Sequence, residues 1–139
     1  MISLARAEPG MLLRMRVQPI QVVNPKMTFN MVAKAIETGV AWAALRDGQP
    51  VAIGGVAPQS DERAVVWGVL SDSIGASMTS VHRAVRHTLD VLTYPRLEAH
   101  VAVEHEEGHR WIALLGFERE GVMRKFFRGR DFALYARVR

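Results

Sequence analysis

Five consecutive residues, His105-Glu106-Glu107-Gly108-His109, set two imidazoles four positions apart around a pair of carboxylates. On a single helix, H-E-x-x-H turns both rings to one face, where they ligate zinc while the glutamate acts as base. That chemistry needs both histidines inside a rigid helix and a third ligand downstream. Here His105 directly follows an apolar run ending near Glu104, so it falls at the helix cap. Gly108 lies between the rings and weakens the turn that must hold them. Beyond Leu115 the chain returns to strand patterning and brings no further helix with a carboxylate. The metal-hydrolase reading is therefore the weakest, and no metal is expected. Glu106 and Glu107 suit the first turn of a helix, where acids complement the dipole.

The same place offers proton chemistry. Glu104 and His105 stand at the end of a strand, and an imidazole exchanges protons near neutral pH. They are the best catalytic candidates in the chain. The competing reading makes them a capping pair with no chemistry. Two other groups invite ligands. His82, Arg83, Arg86 and His87 form a basic face on one helix, suited to phosphate or simply to water. Trp42, Trp67 and Trp111 could stack on a planar ligand, but their apolar neighbours favour core packing.

The elements that must position these groups follow from patterning. Leu13, Met15 and Val17 alternate with Arg14 and Arg16 and predict a strand over 12–17. Asn24-Pro25 is a helix start, followed at helical spacing by Phe29, Val32, Ala33 and Ile36. Val40–Arg46 and Val51–Val56 flank Asp47-Gly48-Gln49-Pro50 and predict a hairpin. The run AVVWGVL, Ala64–Leu70, reads as a central strand. From about Ser77 the stripe Val81, Val85, Leu89, Leu92 predicts a helix that Pro95 stops. Leu97–Val103 is another strand and Glu106–Leu115 a short helix. Strands over about 122–127 and 132–138 close the chain. The order is β-α-β-β-β-α-β-α-β-β: a mixed sheet of about seven strands with helices on both faces. The strand–helix–strand unit over 64–103 implies a parallel pair.

Length and composition set the frame. The chain has 139 residues, 49% apolar and 23% charged, a balance for one globular domain over 1–139. It contains no cysteine, so neither disulfides nor thiolate chemistry enter. No run reaches membrane-spanning length and the N-terminus does not pattern as a signal peptide, so a cytoplasmic protein is expected. The net charge is +4, and Arg119–Arg139 carries seven Arg or Lys against Glu120 and Asp131. Such a segment favours an anionic partner: phosphate, nucleic acid or an acidic protein face.

From Leu97 onward the residues resemble a known family. LEAHVAVEH, EEGHRWIALLGF and EREGVMRKFFRGRDFALYARVR are similar to the closing segment of the GCN5-related N-acetyltransferases (GNAT), and the element order is similar to that family's core. Within the family the chain looks most like the acetyltransferase-like internal virion protein A type of short-tailed phages, through Trp67-Gly68-Val69 and Arg110-Trp111. The resemblance implies a GNAT-like α/β domain with a shortened N-terminal helical segment. It implies acetyl-coenzyme A as cofactor, its diphosphate cradled by bare amides at a helix N-terminus. The matching stretch comprises Leu70, Ser71, Ile74, Gly75, Ser77, Met78 and Thr79. Ile74 stands where the family has an arginine, Ser77 and Thr79 where it has glycines, and Asp72 adds negative charge. Ile112 occupies the place of the tyrosine that protonates the departing thiolate, and His105 that of an asparagine. The reading favoured by these departures is a virion or assembly component in multiple copies, incorporated from the host cytoplasm, with weak or no acyl transfer. On that reading the basic C-terminal strands meet partner proteins. The alternative is an active acetyl-coenzyme A-dependent N-acetyltransferase of a small-molecule or protein amine.

Overall fold

The computed structural model describes residues 2–21 and 25–139. The strands are β1 (Ile2–Arg6), β2 (Val40–Arg46), β3 (Gln49–Pro58), β4 (Arg63–Leu70), β5 (Arg96–Ala102), β6 (Glu118–Phe127) and β7 (Arg130–Val138). The helices are α1 (Pro25–Thr38), α2 (Met78–Val91) and α3 (Glu106–Leu114). They form a seven-stranded mixed sheet in the order β1-β2-β3-β4-β5-β7-β6. β4 and β5 are parallel, as the strand–helix–strand unit requires, with Arg63–Val65 opposite Arg96–Glu98. The chain divides into two compact units. One holds the residues up to Ala57 with Trp67–Val91, the other Pro58–Val66 with Leu92–Arg139. No helix among the described residues is long and apolar enough to cross a membrane.

In the first unit the core is Leu12, Met15, Val32, Ala41, Ala43, Ile53 and Val69, with Phe29, Ile36 and Trp67 packed against it. The α1 stripe is thus the face that the spacing of Phe29, Val32 and Ile36 marks. Pro25 opens the helix; the expected Asn24 cap lies outside the described residues. Trp67 packs as expected, whereas Trp42 is 37% exposed on β2, so core packing does not hold for it.

The strand expected over 12–17 is not formed. Pro9–Arg14 is a 3-10 helix with proline in its first turn, and the Met15 amide donates to the Leu12 carbonyl. At three residues per turn, positions i and i+3 share a face. Leu12 and Met15 are buried, while Leu13 is 77% exposed. The alternation of Leu13, Met15 and Val17 therefore marks no strand, and only Val17 keeps a bridge, to Ser71. The first strand is instead Ile2–Arg6, antiparallel to β2 with Leu4 opposite Ala44. The β-α-β-β-β order survives because one strand takes the place of the other.

In the second unit β5 is buried on both faces, Glu98 included. Helix α3 ends in a Schellman motif: the Phe117 amide donates to the Ile112 carbonyl and the Gly116 amide to the Ala113 carbonyl. Gly116 has φ +91°, a conformation that disfavours any side chain. The turn sends Leu115 and Phe117 into the core, both under 5% exposed.

Candidate functional site

The residues expected to hold the cofactor come together in the first unit. Leu70 ends β4, and Ser71 is buried, its amide donating to the Val51 carbonyl at 2.8 Å. The Ser71 hydroxyl accepts from the Ser73 amide at 3.1 Å and meets the Ser73 hydroxyl at 2.9 Å. A short 3-10 turn, Gly75–Ser77, then feeds α2 at Met78, and Thr79 is exposed at its start.

The amides of this loop can be accounted for one by one. Asp72 donates to the Arg16 carbonyl, Ile74 to Ser71, Ser77 to Ile74 and Met78 to Gly75. Among the described residues, the amides of Gly75 and Ala76 have no acceptor in the protein. Gly75 has φ +46°, and a Cβ there would meet open space. Two adjacent exposed amides ahead of a helix N-terminus make a site for an anion.

Ile74 cannot replace the arginine the family carries, since its side chain is buried. A guanidinium reaches the loop from β2 instead. Arg46 Nη1 donates to the Ser73 carbonyl at 3.1 Å, the Ile74 carbonyl at 3.4 Å and the Ser77 hydroxyl at 3.0 Å. Ser77 therefore serves as an acceptor within the loop. Asp72 is drawn to Arg16 at 3.4 Å, which offsets its charge. A groove of about 320 Å³ runs along α2 from Thr79 past His82, Arg83, Arg86 and His87 to Asp90. The basic face expected from sequence is this groove.

Glu104 and His105 belong to the second unit. Arg130 Nε and Nη2 both donate to Glu104 Oε1, at 2.8 and 2.6 Å. A backbone hydrogen bond at Glu104 and the Arg130 guanidinium hold its carboxyl below the usual range. It stays ionised and cannot act as an acid near neutrality. His105 occupies the cap position of α3, with no side-chain capping bond. What capping His105 gives α3 runs through its main-chain carbonyl, which accepts from the His109 amide at 3.1 Å. Burial lowers the His105 pKa, with Glu107 opposing, and the ring is neutral at pH 7. Its position depends on Gly108: a Cβ there would lie 2.7 Å from His105 Nδ1 and 2.9 Å from Val101 Cγ1.

His109 is fully engaged. Its Nε2 lies 2.9 Å from the Val103 carbonyl, which only accepts, so Nε2 carries the proton. Its Nδ1, 2.7 Å from the Tyr135 hydroxyl, then accepts from it. With both nitrogens bonded, His109 has no lone pair free for a metal. Among the described residues no group of three or more His, Asp or Glu could hold a metal ion.

An ion-pair network centred on the buried Glu98 links β4, β5 and β6. Glu98 accepts from Arg63 at 2.8 Å and Arg96 at 2.6 Å, and Arg96 also grips Glu120. Burial acts to raise the Glu98 carboxyl, but the hydrogen bonds from Arg96 and Arg63 outweigh it and hold it low. The Glu120 and Glu98 bonds raise the Arg96 pKa. Further along β5, His100 meets Phe126 edge to face at 5.0 Å. Burial lowers its pKa too, against the pull of Glu98. Arg46, Tyr135 and His100 carry no sequence signal. Tertiary contacts bring them to their partners.

The fold is that of the GCN5-related N-acetyltransferases. A spermidine N-acetyltransferase chimera from Vibrio cholerae and hSSAT matches 99% of this chain and 95% of its own with a TM-score of 0.74, at 15% identity. An IAA acetyltransferase from Bacillus cereus matches all of both chains with a TM-score of 0.74 at 11% identity. A ribosomal-protein alanine acetyltransferase from Vibrio fischeri matches 99% of this chain and 92% of its own, with a TM-score of 0.72 at 15% identity. No protein-family model and no curated protein matches the sequence.

Proposed function

We propose that the chain is an N-acetyltransferase-like protein that binds acetyl-coenzyme A through the loop Ser71–Thr79 and transfers the acyl group weakly. The unengaged amides of Gly75 and Ala76 carry this reading. They would hold the diphosphate, with Arg46 keeping the loop in shape behind them. Ser77, at one of the loop's family glycine positions, does not block it, because its hydroxyl is turned to Arg46. Bound acetyl-coenzyme A would supply the activated acyl group. What this chain offers the reaction is small. Ile112 is buried and has no proton to give, Glu104 is held ionised by Arg130, and His105 is a neutral imidazole at a strand end. Catalysis then rests on positioning the amine.

Acetyl-coenzyme A should raise the melting temperature, since a ligand at a hundredfold its dissociation constant adds about 2.7 kcal/mol. Acetyl-pantetheine, which lacks the diphosphate, should not. Equal effects of the two compounds, or none from either at millimolar concentration, would remove the reading. Where transfer to an amine is measurable, His105→Ala should lower it less than about tenfold, below the contribution of a true general acid or base.

The role in a phage particle or its assembly is supported by Trp67-Gly68-Val69 and Arg110-Trp111 through sequence resemblance, and by the basic C-terminal strands as a surface for partners. Mass spectrometry of purified particles tests it, and absence of the chain from them would end that role.

A further inference from the structure

The hairpin of β6 and β7 lies outside the loop Ser71–Thr79. β6 is the sheet edge and is exposed along nearly its whole length. Its end and the turn read Arg124-Lys125-Phe126-Phe127-Arg128-Gly129-Arg130. Phe126 is 47% exposed. A break in register between Met123 and Phe127, with Lys125 at φ +48°, turns its ring onto its neighbours. There it meets His100 at 5.0 Å and Phe132 at 5.6 Å, each edge to face.

Cations flank Phe126 along the chain. Arg124, Lys125 and Arg128 are exposed, and among the described residues none has an ion-pair partner. Two acids stand in or beside this stretch. Asp131 accepts the Lys125 amide at 2.8 Å, and Glu104 is taken by Arg130. Arg130 itself lies over the Phe132 ring at 5.6 Å. The patch therefore presents an aromatic surface interleaved with unpaired positive charge.

We propose that this hairpin binds single-stranded nucleic acid, with a base stacked on Phe126 and backbone phosphates on Arg124, Lys125 and Arg128. A polymer alternating planar rings and anions matches a surface alternating the same two complements. Stacking requires bases already out of a duplex, which selects the single strand. An acidic protein face would satisfy the cations and leave the ring group idle. A lipid surface would want a broader apolar face than one phenylalanine between charges. The inference does not depend on coenzyme binding.

The test uses the full chain and a fluorescent oligothymidylate, followed by anisotropy against a duplex of equal length and against phosphatidylserine vesicles. The single strand should bind more tightly than the duplex. Phe126→Ala should weaken it roughly ten- to a hundredfold, the worth of one base–aromatic stack. Arg124→Ala should lower the slope of log affinity against log salt by about 0.7, one phosphate contact on a single strand. Phe126→Leu keeps the bulk and loses the ring, so it should weaken binding even if the alanine variant folds poorly. Equal affinity for duplex with no effect of Phe126→Leu would overturn the proposal. So would vesicle binding without oligonucleotide binding, or no binding at all.

Discussion

Arg46 Nη1 lies 3.0 Å from Ser77 Oγ and donates to it, tying the end of β2 to the turn that starts α2. The same nitrogen reaches the carbonyls of Ser73 and Ile74. One cation thus holds three acceptors of the loop and leaves the Gly75 and Ala76 amides outward. Arg46→Ala should cost about 1–2 kcal/mol in urea unfolding, a charge-assisted bond discounted for partial exposure. It should also weaken acetyl-coenzyme A, because the free amides lose their frame. Arg46→Lys should restore little, since an ammonium does not present the planar fork. Unchanged coenzyme affinity in both variants would show the frame to be irrelevant.

How far this loop was legible in the sequence depends on which force set each part. The hairpin Val40–Arg46 and Val51–Val56 and the Leu115-Gly116-Phe117 corner follow from local patterning and are found where expected, while α2 ends at Val91 and leaves Leu92, the last residue of its expected stripe, outside. The strand expected at 12–17 failed because a proline-led 3-10 turn also produces buried residues at short spacing. The candidate loop follows from the family resemblance, but which of its amides are left unengaged does not. Which amides stay free is decided by Val51, Arg16 and Ser71, and the bracing cation comes from a strand 27 residues or more away. Such contacts are set by tertiary register, which a local pattern does not encode.

Glu98 makes the fold sensitive to acid. Its carboxyl is held below the ordinary 4.5 by Arg96 and Arg63. A depressed carboxyl stabilises the fold fully above about pH 4.5, and that contribution is lost as the pH falls through the folded pKa. Glu98→Gln should therefore cost on the order of 1–2 kcal/mol at pH 7, two charge-assisted bonds discounted for the exposure of Arg63 and Arg96. It should also flatten the fall in stability below about pH 4.5. Parallel pH profiles for the two proteins would count against this assignment.

Gly108 sets a local preference against a tertiary one. Alanine should favour the α3 helix by about 1 kcal/mol. Its Cβ would fall 2.7 Å from His105 Nδ1 and 2.9 Å from Val101 Cγ1. We expect Gly108→Ala to destabilise the protein despite the propensity gain, and His105→Ala in the same chain to recover part of the loss. Calorimetric melting of the single and double variants decides it. A stabilised single variant would show that the ring moves aside freely.

Tyr135 and His109 form a pair in which the hydroxyl donates and the ring accepts. Tyr135→Phe should cost about 1 kcal/mol, one hydrogen bond. His109→Ala should cost more, because it strands a buried hydroxyl and also frees the Val103 carbonyl. Equal, negligible losses in urea unfolding would indicate that water replaces both partners.

The central claim is that acetyl-coenzyme A rests its diphosphate on the main chain at Gly75 and Ala76. Titrating the compound into nitrogen-15-labelled protein reads those two amides directly by nuclear magnetic resonance. Both resonances should move saturably and with one dissociation constant, and acetyl-pantetheine should leave them in place. Saturable binding that leaves Gly75 and Ala76 unmoved, or no binding at all, would contradict the account.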